Sequence, residues 1–301
     1  MDWHGKRYYS FDSFLKNTFG EKIYKVSLDG GFTCPNRDGT IGTGGCIFCS
    51  EGGSGDFASD ARLSIQDQIT QGISLVAAKS PSSRYIAYFQ AFTNTYAPVS
   101  RLRQLFTEAM EDPRIAALAI GTRPDCLPSD VLSLLKELNS QKPVFVELGL
   151  QTIHPSTAGL IRRGYPLSCF EEAVWNLSSI GVWTVVHLIL GLPGETEEMM
   201  LESVRYLNSL PVHGVKFSML HILKGTDLAD MYREDPFPVF TMESYIDLIL
   251  RCIGNLRKDI VIHRLTGDGP RDLLIAPLWS LRKRTVLNEI AHQLKVQDIR
   301  Q

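Results

Sequence analysis

Between Lys22 and Leu265 short apolar runs alternate with amphipathic stretches. That alternation restricts the chain to a parallel sheet covered by helices. Strands are read at Lys22 to Leu28, Arg84 to Phe89, Ala116 to Ile120, Val144 to Leu150, Trp183 to Leu190, Val215 to Leu220 and Ile260 to Leu265. Several are almost wholly apolar, as strands buried on both faces are. Between them, 3.6-residue periodicity predicts helices over Ile65 to Ala78, Ser100 to Met110, Ser129 to Leu138, Ser156 to Arg163, Cys169 to Ser179, Glu197 to Leu210, Met242 to Leu256 and Ser280 to Leu294. The architecture is α/β: a closed or partial (β/α) barrel, or an open doubly wound sheet. In either, working residues gather at the C-terminal ends of the strands.

The first strand runs directly into a glycine-rich loop from Gly31 to Cys49. Three of the six cysteines, Cys34, Cys46 and Cys49, stand there with spacing C-x11-C-x2-C. Thiolates on a loop able to wrap around a group indicate a metal site. Structural zinc and ordinary electron-transfer clusters take four ligands. Three cysteines on a four-iron cluster leave one iron open to a non-protein ligand. A zinc site completed by a histidine, or unconnected thiols, are the competing readings, although the nearest histidines, His4 and His154, lie outside the loop. Cys126, Cys169 and Cys252 are scattered and read as core thiols.

A length of 301 residues and a net charge of −2 fit one large domain without the basic field that marks a general nucleic-acid binder. Arg282, Lys283 and Arg284 form a local basic run, read as a solvated helix face. No apolar run is long enough to span a bilayer, and the N-terminus lacks a signal-peptide core. A cytoplasmic protein with reduced thiols and no membrane association is expected. Residues 1–21 read as an N-terminal extension, 22–265 as the core and 266–301 as a C-terminal helical extension.

Beyond the cysteines, three segments carry a family resemblance. They are Glu147-Leu148-Gly149-Leu150-Gln151-Thr152 with Leu160-Ile161-Arg162-Arg163-Gly164-Tyr165; His187-Leu188-Ile189-Leu190-Gly191-Leu192-Pro193-Gly194-Glu195-Thr196; and Gly121-Thr122-Arg123-Pro124-Asp125. Following the cysteine loop in the chain order 121–125, 147–165 and 187–196, they resemble the radical S-adenosylmethionine (SAM) superfamily over about Lys22 to Arg264. They are similar to the radical SAM domain of the Elongator catalytic subunit, which modifies wobble uridine in tRNA, and to the coproporphyrinogen dehydrogenase branch. Gly-Phe-Thr-Cys-Pro-Asn-Arg-Asp-Gly-Thr at 31–40 with Gln90-Ala91-Phe92-Thr93-Asn94 most resembles the YhcC/YtqA-type group.

The resemblance implies a partial (β/α)6 barrel. It also implies that Cys34, Cys46 and Cys49 hold a 4Fe–4S cluster whose open iron chelates SAM. One-electron reduction by a donor such as flavodoxin or ferredoxin would then cleave SAM to methionine and a 5′-deoxyadenosyl radical. Gln90 and Thr93 fall where the superfamily binds the methionyl end, Gln151 and His187 where it binds ribose, and Arg163 where it binds the carboxylate, with Arg162 competing. The Gly191 turn and Phe48 would flank the adenine. Glu147, four residues before Gln151, would orient it or close an ion pair. Gly121 stands where the Elongator-type motif has a glutamate. Apart from the resemblance, alternation along the sixth strand points Lys216 or Ser218 toward a substrate cavity, and the turn from His263 to Gly269 reads either as substrate wall or as a plain structural turn. Radical modification of tRNA is the leading functional expectation. A small-metabolite substrate, or a non-catalytic iron–sulfur or zinc protein, are the alternatives.

Overall fold

The computed structural model describes residues 2–53, 55, 58–77 and 82–301. Among them, seven parallel strands form one sheet in the order β1, β2, β3, β4, β5, β6, β8. They are β1 (Tyr24–Leu28), β2 (Tyr85–Phe89), β3 (Ile115–Thr122), β4 (Val144–Gln151), β5 (Trp183–Leu190), β6 (Gly214–Met219) and β8 (Val261–Arg264). A two-stranded antiparallel ladder of β7 (Ile222–Leu223) and β9 (Leu274–Ala276) sits beside the sheet. Helices α2 (Ile65–Ala77), α3 (Val99–Glu111), α4 (Ser129–Asn139), α6 (Leu167–Ser179), α7 (Glu197–Tyr206) and α9 (Met242–Asn255) alternate with the strands. The strand order follows the chain, as single-direction crossovers require. The sheet curls into a half-barrel open between its edge strands, β1 and β8.

Side-chain alternation builds two cores. Ala87 and Phe89 of β2, Val146 and Leu148 of β4, Val186 and Leu188 of β5, and Val215 and Phe217 of β6 point outward under the helices. Ile86, Tyr88, Phe145 and Val185 point inward. The inner core is plugged by α1 (Phe11–Phe19). Ser10 caps its N-terminus, and Gly20, at φ 77°, ends it in the left-handed conformation. Phe14 meets Trp183 edge-on at 5.1 Å, and Phe11 stacks on His263 at 4.0 Å. The segment before α1 pairs with β8, Ile262 N donating to Tyr9 O at 2.8 Å. The N-terminal residues therefore close the floor of the half-barrel.

The structure corrects several sequence boundaries. The helix expected from Ser156 to Arg163 is α5 (Pro155–Leu160), and Arg162 leaves it at φ 56°. The helix expected to reach Leu210 ends at Tyr206 and tightens into a 3-10 turn. The last helix, α10 (Lys283–Val296), follows a 3-10 turn at Leu278–Arg282. The short helix α8 (Asp227–Glu234) was not expected; Thr226 caps it, and its Leu228 N donates to Ile47 O of the cysteine loop. The position Ala78 given to the second helix lies outside the described residues.

Candidate active site

The cysteine loop is shaped by its own backbone. Arg37 N donates to Cys34 O at 2.8 Å, Gly45 N to Asn36 O at 2.7 Å and Cys49 N to Cys46 O at 3.0 Å. Arg37 turns its guanidinium onto the carbonyls of Cys49 and Ser50. Asn36, 3% exposed, ties the loop to the stretch after α5, its amide donating to Arg162 O at 2.7 Å. Gly164 at φ 84° allows that approach, because a Cβ there would stand 2.8 Å from Asn36 Oδ1.

Cys34, Cys46 and Cys49 line one cavity of about 260 Å³ at the C-terminal ends of the strands. Hydrogen bonding from Cys49 pulls the Cys46 thiol down to about 7 against the effect of burial. The Asn36 amide, 3.5 Å from Cys46 Sγ, acts in the same direction. Among the described residues no three His, Cys, Asp or Glu side chains surround a point that one metal ion could occupy. The loop thus presents a wall of thiols rather than a closed tetrahedron. Three thiols on one cavity, one of them poised toward thiolate, fit the cysteine set of an iron–sulfur cluster.

The cavity also brings together Phe48, Gln90, Thr93, Glu147, Gln151, Arg163 and His187. Gly191 does not line it: its backbone, at φ 91°, lies under the Phe240 ring, and its N donates to Met200 Sδ. Gln90 Oε1 accepts from Ser27 Oγ at 3.0 Å, and Thr93 N donates to Thr33 O at 3.1 Å, binding the end of β2 to the cysteine loop. A bulge between Gly149 and Gln151 puts Gln151 at φ 63°, where its amide oxygen accepts from Tyr165 Oη at 3.3 Å.

Arg163 is 3% exposed and already engaged. Its Nη1 donates to the carbonyls of Leu150 at 3.1 Å and Thr152 at 2.6 Å, its Nε to Tyr165 O at 3.1 Å. None of these bonds uses Nη2. Arg162, the competing residue, points to the surface and pairs with Asp227. Arg123 was not singled out from the sequence, yet it lines the cavity. It holds Asp125 in a two-pronged pair at 2.9 and 2.7 Å and donates to Arg163 O at 3.0 Å. Tyr165 lies between the two guanidinium groups, 5.0 Å from each.

Beneath the cavity Glu147, 1% exposed, is shared by Lys25 of β1 and Lys216 of β6, while His187 Nε2 stands 2.9 Å from its Oε2. Burial opposes ionisation of Glu147, but the two ammonium groups and the imidazole hold it well below the usual carboxylate range. Burial pushes Lys216 down to about 7, although Glu147 resists. Burial and the Lys216 charge push His187 down to about 4. Of the two roles read for Glu147, it therefore closes an ion pair rather than orienting Gln151. Both ammonium groups lie over the Tyr88 ring, at 4.6 and 4.7 Å. Lys25 escaped the sequence reading, although its signal, a lysine inside an apolar strand, is the one that marked Lys216.

The model of the radical SAM superfamily matches residues 37–207, and that of the radical SAM C-terminal domain matches 212–296. The chain belongs to the radical SAM superfamily. It is 42% identical to YtqA of Bacillus subtilis (strain 168) over 290 residues, 96% of this chain and 90% of that protein. It is 27% identical over 184 residues to the tRNA uridine(34) acetyltransferase of Methanocaldococcus infernus, covering 60% of this chain and 33% of that protein. The solved Methanocaldococcus infernus Elp3 with an N-terminal deletion shares the fold at TM-score 0.69 and 18% identity, over 92% of this chain and 64% of that one. The chain is thus a radical SAM enzyme on an α/β half-barrel, and the superfamily implies a 4Fe–4S cluster and SAM.

Proposed function

We propose that this radical SAM enzyme modifies a uridine in tRNA, with Cys34, Cys46 and Cys49 holding the cluster and SAM occupying the adjoining cavity. The carrying observation is that three thiols and the polar strand ends of β2, β4 and β5 open onto one space. Held by these thiols, a 4Fe–4S cluster would supply the single electron for reductive cleavage of SAM. Asn36 donates to Cys46 and fixes the loop against the stretch after α5. Gln90 and Thr93 meet the methionyl end of SAM, Gln151 the ribose, and Phe48 offers a ring to the adenine. The Nη2 edge of Arg163 meets the SAM carboxylate while its other nitrogens keep the guanidinium in place. His187, held neutral by burial, donates or accepts a hydrogen bond without adding charge. Tyr88, Phe92 and Ile189 line the same cavity and shelter it from bulk water.

The tRNA substrate draws on the similarity to the tRNA uridine(34) acetyltransferase, which covers 33% of that protein. No helix among the described residues is long and apolar enough to cross a membrane. We place the enzyme in the cytoplasm, where its thiols stay reduced and a flavodoxin or ferredoxin supplies the electron. Residues 22–265 form the catalytic unit and 266–301 its helical extension. Anaerobically reconstituted protein given dithionite and SAM is expected to form 5′-deoxyadenosine, with a new modified nucleoside when bulk tRNA is added. No 5′-deoxyadenosine would overturn the assignment of the site. 5′-Deoxyadenosine formation with unchanged tRNA nucleosides, both in vitro and in cells with and without the gene, would overturn the substrate alone.

A further inference from the structure

The half-barrel leaves its side open between β1 and β8, and two further cavities of about 700 and 570 Å³ lie along that opening. Arg264, the last residue of β8, lines both of them and the thiol cavity as well. Its Nη2 donates to the Ser218 hydroxyl, and its buried Nε has no partner among the described residues. No carboxylate pairs with it among the described residues. The surrounding charge is also unbalanced. Lys25 and Lys216 share the single carboxylate of Glu147. Lys6, Lys16 and Lys22 share that of Asp12, at 4.0, 3.0 and 3.9 Å. Among the described residues of this set, only Lys283 has an acid, Asp268, to itself, at 2.6 Å. Cations thus outnumber acids along the opening, and the one with no acid stands where the side cavities meet the thiol cavity.

We infer that Arg264, at the side opening, binds a phosphate or carboxylate group of the substrate. A guanidinium forks onto two oxygens of either anion, and a polar nitrogen left without a partner in a buried place calls for an acceptor. Seated there, an anion turns the neighbouring part of the substrate toward the cavity walled by Cys34, Cys46 and Cys49. Lys25 and Lys216 strengthen the positive field behind Arg264, while the Lys283–Asp268 pair flanks the mouth. This names the substrate class of the site proposed above and rests on that reading.

The test is calorimetric titration of the reconstituted full chain with inorganic phosphate, uridine 5′-monophosphate and uridine. The monophosphate is expected to bind at least about tenfold more tightly than uridine, the worth of a charge-assisted hydrogen bond. Arg264→Gln is expected to lose about tenfold or more of that affinity, and Arg264→Lys to fall between. Equal binding of the monophosphate and uridine would overturn the inference, as would an Arg264→Gln protein with native circular dichroism and unchanged affinity. If Arg264→Gln does not fold, the two ligands on the wild-type chain decide. Displacement of the monophosphate by bulk tRNA assigns the anion to a polynucleotide; binding without displacement assigns it to a small metabolite, and both support the anion site. Formation of 5′-deoxyadenosine by the same preparation, measured without these ligands, reports separately on the parent reading.

Discussion

Glu147 is where a single atom exchange is expected to cost most. In Glu147→Gln the shape is kept, but the carboxylate between Lys25 and Lys216 becomes a neutral amide. The two lysine side chains are only 17% and 10% exposed, so their charges cannot simply turn to water. Breaking a buried pair by removing one partner costs about 3–5 kcal/mol. The Tyr88 face beneath both ammonium groups is the same in the two proteins and does not change this difference. We therefore expect a loss of about 3–5 kcal/mol in urea unfolding followed by far-UV circular dichroism. Lys216→Met in the same background removes one of the stranded charges and should recover part of the loss. The two changes should thus be non-additive by at least about 1 kcal/mol. A loss below about 1 kcal/mol for Glu147→Gln, or strict additivity, would show that the cluster is not held by this carboxylate.

Three further outcomes follow from the same structure. Replacing Cys34, Cys46 or Cys49 by alanine should abolish the iron content and the visible absorbance of the reconstituted protein, together with 5′-deoxyadenosine formation; Cys252→Ala, on the buried face of α9, should keep the iron and the absorbance. Gly72→Ala in α2 would place a Cβ 2.3 Å from Val26 Cγ1 of β1, so despite the better helix propensity of alanine it should destabilise by about 1–3 kcal/mol in urea unfolding. Stability should fall as pH drops from about 6.5 toward 4. Burial holds His187 and His221 at about 4 in the folded chain, so unfolding takes up protons over that window and stability rises with pH across it. The drop from the ordinary value corresponds to about 3 kcal/mol per histidine as an upper figure, checked by urea midpoints at pH 4.5, 5.5 and 7; a flat profile would contradict it.

Local pattern was enough to place the seven strands of the main sheet along the chain and to mark that sheet as parallel, because a strand buried on both faces and an amphipathic helix each leave a periodic trace in the residues. It also marked the thiol loop, since three cysteines at close spacing carry their chemistry on their face. Alternation along β6 likewise put Lys216 and Ser218 on the inner face, where the structure has them. Other features depend on residues far apart in the chain. Lys25 and Glu147 meet only because the sheet curls, and that curl brings β1 and β4, three positions apart in the sheet, together in the barrel interior. Arg163 reads as a free guanidinium until the bulge at Gly149 to Gln151 and the turn at Tyr165 aim three carbonyls at it. Arg264 looks like the end of a strand, but at the unclosed edge of the half-barrel it becomes the corner shared by three cavities. The elements follow from neighbours in sequence; which charges are paired, and which is left facing open space, follows from how far the sheet closes.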